Sequence, residues 1–204
     1  MGGIFALKVC VYAICKNESQ FVDRFMDSMS EADYVCVLDT GSSDDTVKKL
    51  RARGAIVGET VISPWRFDTA RNESLGLIPA DADICCAIDL DEQFHPGWRA
   101  ALERAWQPDT TRARYRYTWS FRPDGSEGMV FWADKIHKNG CYRWASPVHE
   151  TLAYTGEGAE RFVDAAGVQL DHHPDETKSR GQYLPLLELA VREDPQNDRN
   201  CHYL

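Results

Sequence analysis

The sequence predicts an α/β domain organised on a mostly parallel central sheet, with a small antiparallel β region in its second half. Three observations carry that expectation. Short, almost wholly apolar runs at 8–15, 34–38 and 84–88 have the character of strands buried on both faces. Between them lie stretches with apolar residues at three- and four-residue spacing, the pattern of amphipathic helices. Each run then ends in polar or acidic side chains, Lys16-Asn17-Glu18, Asp39 and Asp89-Leu90-Asp91-Glu92, and open α/β sheets bind their ligands at such strand exits.

In order along the chain, residues 8–15 alternate Val9, Val11 and Ala13 with Cys10, Tyr12 and Ile14 and give the first buried strand. In 18–29, Phe21, Val22, Phe25, Met26 and Met29 form one helical stripe while Asp23, Arg24, Asp27 and Ser28 face away. The second strand, 34–38, is closed by Asp39. Its exit runs from Thr40 to Thr46 and offers Gly41 for a tight turn, with Ser42, Ser43 or an aspartate to cap a helix over 46–53. A strand at 55–62 leads through Ser63-Pro64-Trp65-Arg66-Phe67-Asp68 to a helix over 69–77, with Arg71 and Asn72 near its start.

The fourth β unit is the stretch DADICCAIDLDEQF, residues 81–94. On a continuing strand Asp89 and Asp91 would point to one face, and with Glu92 they would repel one another unless a positive group lay between them. A divalent cation would serve. Oxygen ligands suit Mg²⁺ or Mn²⁺, which keep coordination positions for substrate phosphates. The plainer reading is an acidic cap before His95-Pro96-Gly97. Strands alternating with helices over this half imply a doubly wound sheet with right-handed crossovers.

KNE at 16–18, DTGSSDDT at 39–46, the set Trp65, Asp68, Ala70, Arg71 and Asn72, and the strand ending D-L-D-E occur in that order over 8–94. Together they resemble the family 2 glycosyltransferases of the GT-A fold, a Rossmann-like nucleotide-diphospho-sugar transferase architecture. The resemblance is to a bacterial branch of lipopolysaccharide-core and peptide glycosyltransferases with helical-repeat tails. It implies metal-dependent, inverting transfer of a sugar from a nucleotide diphosphate sugar, UDP-linked, to a glycan, lipopolysaccharide or peptide acceptor. It further implies that Asp39 hydrogen-bonds the base, that Asn17 and Glu18 line the same pocket, and that Arg71 lies near the nucleotide. Asp89 would face the ribose or reach the metal through water, and Asp91 would bind Mn²⁺ or Mg²⁺. Each residue also has a purely structural reading. Asp39 could cap the following helix, Glu18 could complement a helix dipole, and Arg71 could be a solvated helix residue.

The second half changes character. Residues 96–106 read as an amphipathic helix with Trp98, Ala101, Leu102 and Ala105 on one side. Then Arg112, Arg114 and Arg116 alternate with Ala113, Tyr115 and Tyr117, a strand whose arginines are expected to face solvent. Pro123-Asp124-Gly125 turns the chain into a partner strand at 129–132, and Asn139-Gly140 signals a second hairpin. Gly140, Tyr142, Trp144 and Val148-His149-Glu150 resemble a further segment of the same transferases. There Glu150 would be the base that takes the acceptor's proton, and His149 would position phosphate or acceptor. Asp91 and Glu92 remain competing bases, and 148–154 could simply be a strand. The strand ending at His172 resembles the position of a late metal-ligating histidine, with His173 as the alternative. From 178 a helix is expected, with Tyr183, Leu184, Leu186, Leu187, Ala190 and Val191 as its stripe and Pro185 in its first turn or at a kink.

The expected organisation is a transferase domain over 1–175, with a nucleotide-binding half at 1–95 and an acceptor half at 96–175. A helical segment follows at 176–204, the start of a helical-repeat region that continues beyond the last residue. With a net charge of -9 over 204 residues and dispersed basic residues, a nucleic-acid partner is excluded. No apolar stretch is long enough for a transmembrane segment and the opening carries no cleavage-site pattern, so a cytoplasmic location is expected. Seven cysteines, mostly inside apolar runs, suit reduced buried thiols. Two other functions compete. A metal-dependent phosphohydrolase would carry its D-x-D after the first strand rather than the fourth, and a non-catalytic nucleotide-sugar-binding domain could share the whole fold.

Overall fold

The computed structural model describes residues 7–175 and 183–203. Its first half alternates as the apolar runs require: β1 (Val9–Cys15), α1 (Val22–Ser28), β2 (Tyr34–Asp39), α2 (Thr46–Ala52), β3 (Ile56–Glu59), α3 (Phe67–Leu75) and β4 (Ile84–Ala87). After a tight turn come β5 (Glu92–Phe94) and α4 (Trp98–Ala105). The remainder is β6 (Arg112–Thr118), β7 (Val130–Lys138), β8 (Tyr142–Ala145), β9 (Thr151–Tyr154), β10 (Phe162–His172), α5 (Tyr183–Glu193) and α6 (Asp198–Tyr203). The expected helix start at 178 lies outside the described residues.

Every residue of β1 is buried, and its two faces belong to different cores. Val9, Val11 and Ala13 pack with Phe25 of α1 and Trp98 and Leu102 of α4. On the opposite face, Cys10 and Tyr12 pack with Leu75 and with Tyr142 and Trp144 of β8. Each fully buried side chain of this size contributes roughly 1.5–3 kcal/mol, so β1 is the strand on which both layers are anchored.

The main sheet has the order β3-β2-β1-β4-β7-β6-β10-β5, and β8-β9 form a separate antiparallel pair. Pairing is parallel across β3, β2, β1 and β4 and between β6 and β10; β7 and β5 run antiparallel to their neighbours. Because β7 reverses direction twice over between β4 and β6, the C-terminal ends of β1, β2, β4, β6 and β10 all reach one edge of the sheet. This is the α/β architecture expected, a mostly parallel sheet with a small antiparallel one beside it.

Three sequence expectations are corrected. Asp89 and Asp91 do not continue a strand: β4 ends at Ala87, and the chain turns with Glu92 N–H donating to the Asp89 carbonyl at 3.0 Å. Asn139-Gly140 does make a turn, with Gly140 at φ +72°. Yet β8 does not pair back on β7, because Tyr142 and Trp144 are drawn under β1 and α3 and pair instead with β9. Finally, the arginine row is not uniformly solvated. Arg112 is buried and paired with Asp134 at 3.1 Å and Glu160 at 3.3 Å, whereas Arg114 is exposed as expected.

Candidate active site

The exit of β4 is a dense knot of charge. Arg71 is buried on α3, its Nη2 lies 2.7 Å from Asp89 Oδ1, and its Nε donates to Glu150 Oε1 at 3.0 Å. Its guanidinium also lies over Trp144, with the guanidinium carbon 5.3 Å from the ring centroid. Three segments distant in sequence thus meet on one side chain. Burial works against the Arg71 charge, but Asp89 and Glu150 outweigh it and hold its pKa above the ordinary value. Burial likewise opposes the Asp89 carboxylate, and Arg71 and then Lys135 more than offset this, so its pKa is depressed. Arg71 Nη1 is buried with no hydrogen-bond partner among the described residues. A donor stranded beside two carboxylates fits an incoming acceptor group.

Lys135, on β7, was not anticipated from the sequence. Its Nζ lies 3.9 Å from Asp89 Oδ2. Burial lowers its pKa, but Glu92 and Asp89 outweigh that and raise it. Only the antiparallel return of β7 alongside β4 brings it here, and no local pattern announces it. Glu92 is buried and serves the turn itself: its Oε2 accepts the Asp89 N–H at 2.8 Å and its Oε1 accepts the Tyr117 hydroxyl at 2.6 Å. Burial pushes its pKa up, and with both carboxylate oxygens already accepting hydrogen bonds Glu92 is committed to the turn.

The two aspartates of the turn are divided between different partners. Asp91 Oδ2 is 3.4 Å from His172 Nε2, at the end of β10. The other ring nitrogen, Nδ1, donates to the Trp119 carbonyl at 3.1 Å, so Nε2 is the atom directed at Asp91. Burial lowers the His172 pKa, but the hydrogen bond and charge of Asp91 prevail and raise it. His173 takes another role, stacked on Phe121 with ring centroids 5.2 Å apart. Among the described residues no cluster of three or more His, Cys, Asp or Glu could by itself hold an ion. Asp91 and His172 nevertheless fit Mg²⁺ or Mn²⁺, ions that bind through one or two protein groups and complete their shell with water and phosphate oxygens.

At the exits of β1 and β2 the predicted pocket residues are together, but largely engaged with each other. Asp39 is buried and its Oδ1 accepts the backbone N–H groups of Gly41 at 3.0 Å and Ser42 at 2.8 Å, while the Ser42 hydroxyl donates to Oδ2. Asn17, at φ +54°, accepts the Ser43 N–H at 2.8 Å, and the Glu18 N–H donates to Thr46 Oγ1 at 2.8 Å. These bonds staple the two loops into one wall. Asp39 sits opposite Cys15 in the sheet, and Tyr12 opposite Ala87, so that wall and the charged turn flank the same end of β1.

His149, at φ +50°, lies in the loop before β9, its ring 6.0 Å from that of Tyr183 on α5. Burial lowers its pKa. Val148 packs with Leu186, Leu187 and Ala190 of α5 and with Trp65 and Phe67, and Arg66 bridges Asp68 at 2.8 Å and Glu193 at 2.5 Å. The helix α5 therefore braces the loop that presents His149 and Glu150.

No family model matches the chain. Among solved structures, a crystal structure of a mycobacterial protein is similar with a TM-score of 0.55 at 16% identity, over 84% of this chain and 69% of that one. That likeness extends to the fold. Glucosyl-3-phosphoglycerate synthase from Mycobacterium tuberculosis, in complex with Mn²⁺, UDP and glucosyl-3-phosphoglycerate, aligns with a TM-score of 0.43 at 22% identity over 55% of this chain. A second complex of that synthase, with Mn²⁺, UDP-glucose and phosphoglyceric acid, aligns with the same TM-score of 0.43. The match spans 44% of the synthase chain, less than half its length.

Proposed function

We propose that this protein is a metal-dependent, inverting glycosyltransferase that uses a nucleotide diphosphate sugar, UDP-linked, as donor. The observation that carries the reading is the convergence of Arg71, Asp89 and Glu150 beside the Asp91–His172 pair, at the edge shared with Asp39 and Asn17. In this reading the stapled wall of Asn17, Glu18 and Asp39 receives the nucleoside, and Asp89 faces the ribose. Asp91 and His172 hold Mn²⁺ or Mg²⁺. The bound cation supplies charge neutralisation for the departing diphosphate. Lys135 and the unmatched Arg71 Nη1 offer further positive charge to the same group. Glu150, held through Oε1 by Arg71, takes the proton of the acceptor hydroxyl as it attacks the anomeric carbon from the face opposite the diphosphate. His149 positions the acceptor. The chain's 1–175 portion is assigned to the transferase domain, and α5 and α6 make a helical segment after it. Among the described residues no helix is long and apolar enough to cross a membrane. A cytoplasmic location belongs to the same proposal.

A second reading, a non-catalytic nucleotide-sugar-binding domain, has one observation in its favour: Glu150 Oε1 is already occupied by Arg71. Donor turnover separates the two. With Mn²⁺ and a panel of UDP-, GDP-, TDP- and CMP-sugars, a transferase hydrolyses one donor slowly even without acceptor, and Glu150→Gln lowers transfer while UDP still binds. Binding of a donor with no turnover across the panel would establish the binding domain instead.

A further inference from the structure

The extended ends of β6 and β7 carry an aromatic surface whose exposed faces no residue of the donor site is assigned to fill. Trp119 is 40% exposed and Phe131 43%, and each contacts Tyr117, with ring centroids 6.1 and 5.1 Å away. Tyr117 is fixed from below by its hydrogen bond to Glu92. Trp119 is fixed twice: its ring stacks on His172 with centroids 4.5 Å apart, and its backbone N–H donates to the Met129 carbonyl at 2.9 Å. Large aromatic side chains left open on a rigid hairpin mark a binding surface more often than an accident of packing.

Its position says what it binds. The sheet order places β2 and β1 on one side of β4 and β6 and β10 on the other, with their C-terminal ends at one edge. At about 4.8 Å per strand, Trp119 lies three strands from β1, roughly 14 Å across. Trp119 is therefore set apart from the nucleoside wall and lies directly against His172 of the Asp91–His172 pair, so a group on Trp119 would meet the sugar end of a donor rather than its base. A pyranose offers an apolar C–H face for such rings and a polar rim of hydroxyls for the charged turn. An anionic bilayer is disfavoured by the net charge of -9 and by the pairing of the nearby cations, Arg116 with Glu127 and Lys135 with Asp89.

We propose that Trp119 and Phe131 form an acceptor subsite that stacks a pyranose ring of a glycan beside the Asp91–His172 pair. The inference rests on the transferase reading and narrows it: the acceptor is a glycan, not a peptide or a small phosphorylated acid. It is tested on a glycan microarray probed in the presence of UDP and Mn²⁺ with the wild type, Trp119→Ala, Trp119→Phe and Phe131→Ala, with UDP–Mn²⁺ affinity measured alongside by calorimetry. The wild type should retain a defined class of oligosaccharide. Both alanine variants should lower that retention about tenfold, against a change of under about twofold in nucleotide affinity for Phe131→Ala, and Trp119→Phe should restore most of it. No retained glycan from a wild type that binds UDP with Mn²⁺, or equal retention by the alanine variants, overturns the subsite. Self-association of the wild type that Phe131→Ala abolishes overturns it as well, since the surface would then be an interface between copies. A wild type that binds no UDP with Mn²⁺ removes the transferase reading itself.

Discussion

Two buried polar networks lie close together under the sheet, and they differ in one respect. Around Tyr12, the hydroxyl is hydrogen-bonded to His137 Nε2 at 2.8 Å, His137 Nδ1 to the Lys138 carbonyl at 3.0 Å, and Trp144 Nε1 donates to Tyr12 at 3.0 Å. Every donor there meets an acceptor. Around Arg71, a buried guanidinium spans Asp89 and Glu150 but keeps one nitrogen unmatched. Trp144 touches both, through its indole nitrogen in the first and its ring in the second. A closed neutral network fixes geometry; an open charged one keeps capacity for a ligand. The difference teaches where architecture stops and a site begins.

If that contrast is right, changes in the two networks should separate stability from ligand binding. Arg71→Met leaves two carboxylates without their cation and should have the largest effect, about 3–5 kcal/mol of stability together with loss of nucleotide affinity. Urea denaturation and UDP titration measure the two. Stability unchanged by this substitution would mean that the charged cluster is not holding α3 to the loop of Glu150.

The closed network should answer to pH instead. Burial pushes the His137 pKa down to about 4 from 6.5, so the unfolded chain binds a proton that the folded chain refuses. Stability is then full above pH 6.5 and falls as the pH drops towards 4, by about 3 kcal/mol. Comparing urea midpoints for wild type and His137→Gln over this range checks it, because the variant should lose that part of the slope. Nucleotide affinity should not follow it.

Between the two lies Asn72, which donates to the Trp144 carbonyl at 2.8 Å and accepts the Trp144 N–H at 3.0 Å. Asn72→Ala leaves two backbone groups unpaired and should cost about 1–3 kcal/mol, with nucleotide binding retained once the protein is folded. Glu150→Gln should be mildest, about 1 kcal/mol or less, since the amide oxygen can still accept from Arg71. Its effect belongs to transfer, read as a fall in turnover at unchanged UDP affinity.

Much of this was legible in the sequence, for a reason that also marks its limit. Apolar runs such as Val9 to Ile14 and Ile84 to Ile88 specify buried parallel strands, and the polar residues after them fall at one sheet edge by topology alone. Asp91 and His172, far apart in the chain, were expected to share a site and lie 3.4 Å apart. What the sequence hid depends on side chains crossing between elements. The D-x-D spacing suggested one shared face, but a turn sends Asp89 to Arg71 and Asp91 to His172. Arg71 as the bridge to Glu150, and Lys135 as its neighbour, follow from how α3, β7 and the loop before β9 meet. Nothing in a local pattern encodes that meeting. Asp39 is the converse case, since its bonds to Gly41 and Ser42 are local ones made within its own loop.

The central claim is that a cation held by Asp91 and His172 joins a nucleoside diphosphate to this sheet edge. The melting temperature of wild type and of Asp91→Asn with UDP, with Mn²⁺, and with both tests it directly. Binding to the folded state alone should raise the wild-type melting temperature when UDP and Mn²⁺ are present together, and much less for either by itself. Asp91→Asn should lose the joint effect. A wild type unmoved by the pair, or an Asp91→Asn protein stabilised as strongly as the wild type, would contradict it.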